Sequence, residues 1–221
     1  MAENPTRDGG ALSAPVVIGA RAPVFSARTT MGNRSLADYH GRWLVFFSHP
    51  ADFTPVCTSE FIAFSQAGDE FEALGCDLLA LSVDSLFSHV AWVRAIDAKF
   101  RVRVPFPIAE DPSMAIAHAY GMISPGARDS ATVRATFVID PDGVVRAILW
   151  YPMSTGRSVR EILRLVEALQ MSDEHAVSTP EGWRKGDEVI EAPPLDLREE
   201  LRPGAPDFGW FYRTRKLEGA R

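Results

Sequence analysis

The amino-acid sequence predicts an α/β fold, a mixed β-sheet with helices packed on it. Three observations predict it. "WLVFF" (Trp43–Phe47) is a continuous apolar run; "CDLLALSVD" (Cys76–Asp84) and "ATFVID" (Ala135–Asp140) are two more of the same kind; and segments of helical period separate them. Apolar runs without polar alternation read as strands buried on both faces, as in a parallel or mixed sheet covered by helices.

In chain order, Met1 to about Pro15 reads as a loose polar tail. The first strand, Trp43–Phe47, is bounded by His40-Gly41 and His49-Pro50. A helix follows Pro55, which suits a first helical position because its missing N–H costs nothing there. Cys76–Asp84 is the next strand. After Asp84-Ser85, Leu86, Val90, Val93 and Ile96 fall at helical spacing and predict the buried face of a second helix. Asp111-Pro112 is expected to start a short helix, with the proline at its first position, and Gly121 to end it. Asp140-Pro141-Asp142-Gly143 is turn chemistry, and "VVRAILWYP" behind it predicts a terminal hairpin. Ser158 and Glu161 have capping-box spacing, ahead of an apolar stripe at Val159, Ile162, Leu163, Val166 and Leu169. A βαβ unit followed by a further helix and a hairpin is the thioredoxin-like arrangement.

Three segments are expected: a tail over 1–17, a folded domain over 18–171 and a C-terminal arm over 172–221. The arm holds Pro180, Pro193, Pro194, Pro203 and Pro206 and shows little periodicity. Its aromatics Trp183, Phe208, Trp210, Phe211 and Tyr212 are costly to leave in water, so they are expected to dock on a surface, that of a second subunit being a candidate.

Composition narrows the function. The 221 residues are 46% apolar and 24% charged, the mix of an ordinary globular chain. A net charge of −6 argues against general nucleic-acid binding. No apolar run approaches the roughly 18–20 residues of a membrane span, and the first 20 residues lack the pattern of a secretory signal. Two cysteines 19 positions apart make neither a disulfide framework nor a CxxC pair, which points to a reducing, cytoplasmic setting. The five histidines (40, 49, 89, 118 and 175) are scattered along the chain, so no metal centre is expected.

Cys57 stands apart. With Pro55 at the first helical position, Thr54 is the N-cap and Cys57 lies in the first turn, close to the Thr54 hydroxyl. The positive end of the helix dipole favours a thiolate there. Free cysteine is also among the most buried residue types, so cap geometry leaves both a reactive and a packing role open. Cys76 opens an apolar strand and reads as an inert core thiol.

"HPADFTPVCTSE" resembles the active-site segment of the peroxiredoxins, Pro-x-x-x-Thr/Ser-x-x-Cys, filled here by Pro50, Thr54 and Cys57. His49 before the proline, with "VRVPFPIAEDP", "RATFVIDPDG" and "YPMSTGRSVREILRLVEALQ", resembles the one-cysteine subfamily typified by mammalian peroxiredoxin six. The likeness runs from about Ile18 into the arm. It implies a thioredoxin-like fold and a cofactor-free thiol peroxidase acting on hydrogen peroxide and organic hydroperoxides. Cys57 matches the peroxidatic cysteine and Thr54 the hydroxyl that bonds peroxide and thiolate. Pro50 matches the shielding proline, and Arg134 the arginine that stabilises the thiolate and polarises the peroxide. Glu60 and Arg157 match the pair that orients this arginine, and His49 matches the subfamily histidine near the cysteine.

The resemblance has limits. The arm has no second cysteine; Tyr212 stands where some long-arm relatives place one. A one-cysteine cycle is therefore expected, with Cys57 sulfenic acid reduced by an external thiol, whether thioredoxin-, glutathione- or otherwise based. Some members carry a lipase-like Gly-Asp-Ser-Trp-Gly segment; here "HGRWL" puts Arg42 at the serine position, so no phospholipase function carries over. A homodimer is the expected minimum, with a ring such as a decamer left open. The competing reading is a peroxide sensor or redox-regulated chaperone using the same cysteine. A thioredoxin-like disulfide reductase lacks its CxxC.

Overall fold

The computed structural model describes residues 15–123, 130–193 and 211–217. The chain divides into two compact units, Met1–Gln66 with Asp77–Arg157, and Ala67–Cys76 with Ser158–Arg221.

The first unit is built on a seven-stranded sheet. Its strands are β1 (Ser26–Thr29), β2 (Gly32–Ser35), β3 (Trp43–Ser48), β4 (Cys76–Ser82), β5 (Ile108–Glu110), β6 (Arg134–Ile139) and β7 (Val145–Tyr151), in the order β2-β1-β5-β4-β3-β6-β7. β4 and β5 are parallel, whereas β6 is antiparallel to both β3 and β7, so the sheet is mixed as expected. Every residue of β3 and β6 is buried. The β6–β7 hairpin turns at Asp140–Gly143, where Asp140 Oδ1 accepts the amides of Asp142 and Val144 and Gly143 takes a φ of +78°. That is Asx-turn chemistry, with glycine at the left-handed position.

β3 sends alternate side chains to opposite faces. Leu44 and Phe46 join a core with Leu79, Leu81, Tyr120 and Phe137. On the other face Phe47 stacks on Phe64 at 4.3 Å between ring centres, and Phe61 lies 4.5 Å from Trp92. These rings seat helices α1 (Pro55–Gln66) and α3 (Leu86–Phe100). Within α1 the buried residues Cys57, Glu60, Phe61 and Phe64 follow the i, i+3, i+4, i+7 rule.

Two local expectations are corrected. The buried face of α3 is His89, Trp92 and Ile96, one position round from the predicted stripe. A histidine is admitted there because its ring bonds the carboxylate of Asp52 at 2.8 Å. Asp111-Pro112 does not open a helix. It forms a turn in which the Met114 amide bonds Asp111 O and Met114 adopts a φ of +60°, and α4 starts only at Ala115 (Ala115–Ala119). Asp111 serves it from a distance, its Oδ2 accepting the Ala117 amide at 2.7 Å.

The second unit holds α2 (Gly68–Ala73), α5 (Val159–His175) and the small antiparallel pair β8 (Val189–Ile190) and β9 (Thr214–Arg215). Ser158 Oγ accepts the Glu161 amide at 3.3 Å, but only this half of the capping box forms, because the Glu161 carboxylate forks onto Arg164. Its core gathers Ala168, Met171, Val177, Trp183 and Val189. Of the arm's aromatics Trp183 is buried, whereas Phe211 and Tyr212 are exposed; Phe208 and Trp210, with Pro194, Pro203 and Pro206, lie outside the described residues, as does most of the predicted N-terminal tail. Among the described residues no helix is long and apolar enough to cross a membrane.

Candidate active site

Strand β3 ends at Ser48, and the chain from His49 to Thr54 is pinned on both sides. His49 donates its amide to Leu81 O, its carbonyl accepts the Thr132 hydroxyl at 2.8 Å, and the Asp52 amide bonds Asp84 Oδ2 at 2.9 Å. Pro50 is buried within this loop. Phe53, exposed, takes a φ of +57° just before α1, a strained conformation for a residue with a Cβ. The strain is located where the chain must turn sharply into the helix that carries Cys57.

Cys57 is 0% exposed. Arg134 Nη1 lies 3.3 Å from its sulfur and 2.7 Å from Glu60 Oε2. The rest of the guanidinium is fixed by the backbone, with Nε and Nη2 both donating to Met153 O at 3.1 and 2.9 Å. Glu60 in turn holds Arg157 by its amide, Nε and Nη2 at 2.8–2.9 Å, and Arg157 Nη1 donates to Ala135 O. Gly156 packs on Val56 and Glu60, so an added Cβ there would sit 3.5 Å from a Val56 methyl. Burial alone would push the Glu60 carboxyl up; the Arg157 hydrogen bonds and charge, with the Arg134 charge, outweigh it and hold the group below the usual carboxylate range.

The charges explain the arrangement. Two guanidinium groups and one carboxylate leave a buried excess of one positive charge, which a Cys57 thiolate would neutralise.

Thr54 sits at the expected N-cap position, but its hydroxyl donates to Ala51 O at 2.9 Å. Its oxygen therefore faces a guest only as an acceptor.

His49, a strand-end surface residue when read by position alone, is fully buried. Its Nε2 meets Asp52 Oδ1 at 2.9 Å, and His89 Nδ1 meets Asp52 Oδ2 at 2.8 Å. Burial would raise the Asp52 carboxyl, but hydrogen bonds from both histidines outweigh it and hold it low. Burial pushes the His49 imidazolium down, offset in part by Asp52. Two histidines scattered in sequence thus meet around one aspartate, a group that sequence reasoning missed although His49 and Asp52 are only three residues apart. Their ligand-type atoms lie within 4.8 Å of one another, the spacing of a metal site. The donor set fits one poorly. The facing ring nitrogens already bond Asp52, and binding a cation there would move a proton onto His49 Nδ1 and His89 Nε2, both buried without a partner among the described residues. The Asp52→Asn variant, which can satisfy only one of the two ring N–H donors, is expected to lose about 1–3 kcal/mol of stability in urea titration.

The sequence-predicted residues Cys57, Glu60, Arg134 and Arg157 are thus joined in one network, while His49 is bonded to a separate one through Asp52. Cys76 is buried, and neither cysteine is in a disulfide.

Comparison with known proteins decides the family. Residues 18–148 match the AhpC/TSA family, and residues 168–202 match the C-terminal domain of 1-Cys peroxiredoxin. The chain belongs to the peroxiredoxins. A peroxiredoxin of Aquifex aeolicus is 44% identical over 90% of this chain and 96% of its own. Peroxiredoxin 2 of Caldanaerobacter subterraneus subsp. tengcongensis is 50% identical over 90% and 93%. Among solved structures, the yeast mitochondrial 1-Cys peroxiredoxin superposes with a TM-score of 0.81 at 37% identity, covering 91% of this chain and all of that one. A cysteine-to-serine mutant of peroxiredoxin 6 of Arenicola marina gives 0.81 at 32% identity over 92% and 99%. The fold is thioredoxin-like, and the protein is a thiol-dependent peroxidase, an oxidoreductase that consumes peroxide and a thiol reductant.

Proposed function

We propose that this peroxiredoxin reduces hydrogen peroxide and organic hydroperoxides through Cys57 in a one-cysteine cycle. The observation that carries the reading is the Arg134 guanidinium at 3.3 Å from a buried sulfur, within a cluster short of one negative charge. The Cys57 thiolate attacks one peroxide oxygen; an S–O bond forms, the O–O bond breaks, and the departing oxygen leaves as water or alcohol after taking a proton. Arg134 donates to the oxygen on which charge builds, Thr54 accepts from the peroxide O–H, and Pro50 helps keep water out. Glu60 and Arg157 set the Arg134 guanidinium, and His49 borders the same loop.

An external thiol then attacks the sulfenic acid, releasing water and leaving a mixed disulfide that a second thiol reduces. Cys76, at the start of a buried strand, takes no part. Residues 18–171 carry the chemistry, and the arm over 172–221 serves a homodimer to which exposed Phe211 and Tyr212 contribute apolar surface. A thioredoxin- or glutathione-type donor and a reducing, cytoplasmic setting suit a chain whose two cysteines form no disulfide.

The test treats reduced protein with one equivalent of hydrogen peroxide and traps sulfenic acid with dimedone before peptide mapping. The adduct is expected on Cys57, with no Cys57–Cys76 disulfide. Turnover supported by an added thiol is expected to stay within about twofold of wild type in Cys76→Ser. Labelling elsewhere would overturn the assignment to Cys57, and loss of turnover in Cys76→Ser with Cys57 still oxidised would overturn the one-cysteine cycle.

A further inference from the structure

What Thr54 can do for a peroxide depends on where its hydroxyl hydrogen points, and that hydrogen is given to Ala51 O at 2.9 Å. The accepting oxygen is not free to turn. It belongs to the peptide group that joins Ala51 to Asp52, and the N–H of the same group donates to Asp84 Oδ2 at 2.9 Å. A trans peptide is a rigid plane whose C=O and N–H point in opposite directions, so a bond that fixes one fixes the aim of the other.

Asp84 is itself braced. Its Oδ2 also accepts the Ser82 hydroxyl at 3.0 Å, and its amide donates back to Ser82 Oγ at 3.1 Å. Ser82 is fully buried as the last residue of β4, so the carboxylate is referred to the sheet. Beyond the peptide, the Asp52 side chain is held between His49 and His89. The bracing meets a need, because Phe53, one residue on, stands in a strained left-handed conformation that persists only where its surroundings fix it. One chain of hydrogen bonds thus runs from Ser82 through Asp84 and the Ala51–Asp52 peptide to Thr54.

We propose that Asp84 is a positioning residue for peroxide reduction: through this peptide it keeps the Thr54 hydrogen turned away and the Thr54 oxygen open as an acceptor. The inference rests on the reading of Thr54 as the group that accepts the peroxide O–H. With its hydrogen committed to Ala51, Thr54 meets that O–H in the accepting role. A hydroxyl released to rotate would set its own hydrogen against the peroxide's, donor facing donor. The influence of Asp84 on the reaction is indirect, since its bonds run to Ser82 and Asp52.

Two rates measured on reduced, full-length protein separate aim from architecture. One is oxidation of Cys57 by hydrogen peroxide. The other is its reaction with methyl methanethiosulfonate, which needs the thiolate but carries no O–H or N–H. Asp84→Ala is expected to slow the peroxide reaction about tenfold, the worth of one hydrogen bond in the transition state, and to change the thiosulfonate rate less than about twofold. Asp84→Asn should recover most of the peroxide rate, because both side-chain bonds fall on one oxygen and an amide oxygen in that place accepts both. In a Thr54→Val background no hydroxyl remains to aim, so Asp84→Ala should cost less than about twofold more. The proposal is overturned by a peroxide rate in Asp84→Ala within about twofold of wild type, or by an equal fall of both rates. It is overturned as well if Asp84→Asn is as slow as Asp84→Ala, or if the full cost persists in Thr54→Val. These failures leave the role of the hydroxyl standing when Thr54→Val alone is slow. A wild-type peroxide rate in Thr54→Val would remove that role, and the proposal with it.

Discussion

Replacing Arg134 by lysine is expected to slow oxidation of Cys57 by hydrogen peroxide about 10²–10³-fold. Lysine keeps the charge, so the loss isolates geometry. The guanidinium serves three directions at once: Nε and Nη2 are anchored on Met153 O, and Nη1 is shared between Glu60 and the sulfur. A single ammonium on a flexible stem cannot reproduce that fork. The oxygen leaving in the reaction gains negative charge in a site closed to water, where a donor already in place is worth most. Stopped-flow measurement of the peroxide rate constant decides the matter. A rate within about threefold of wild type would mean that charge alone suffices and the fork is incidental. Thermal stability should change little, because Glu60 keeps its bonds to Arg157.

The second large effect is expected at Glu60. Glu60→Gln leaves Arg134 and Arg157 as two buried cations with no carboxylate between them. Breaking such a pair costs about 3–5 kcal/mol, or roughly 10 °C in melting temperature for a chain of this size. It also predicts a pH signature. The folded-state carboxyl is held below its ordinary value of about 4.5. Its contribution is thus complete above that value and is lost as pH falls through the lowered folded one. Wild type should therefore lose more stability between pH 6 and pH 3 than Glu60→Gln does, as measured by urea midpoints. Parallel acid profiles for the two proteins would show that Glu60 is not stabilised by its arginines.

Legibility in the sequence follows how local the cause is. β3, β4 and β6 announce themselves because strands buried on both faces must be continuously apolar. β1 and β2, "SART" and "GNRS", carry no such run; backbone pairing with each other and, through β1, with β5 makes them strands. The α3 face lies one position off its apolar stripe because a histidine counts as polar until its partner, 37 residues away, removes the cost of burying it. Within the site, Pro55 and the first-turn place of Cys57 are readable from helix-end rules. Arg134 and Arg157 are not, since only the sheet brings them to the helix, and likeness to a family motif stands in for that knowledge. The Thr54 hydroxyl donates to Ala51 O across the strained turn at Phe53, a bond that helix-end rules do not foresee.

The Met153 carbonyl bears on how this protein can vary through evolution. Two of the three nitrogens that orient Arg134 are held by a main-chain oxygen, while Met153 itself is 53% exposed. Any amino acid supplies that oxygen. Position 153 can therefore drift freely in identity while remaining fixed in place, and residues that matter for aim need not be those that stay constant. An insertion or deletion between Tyr151 and Gly156 would do what no point substitution at 153 can: move the anchor. Selection on this loop should act on its length.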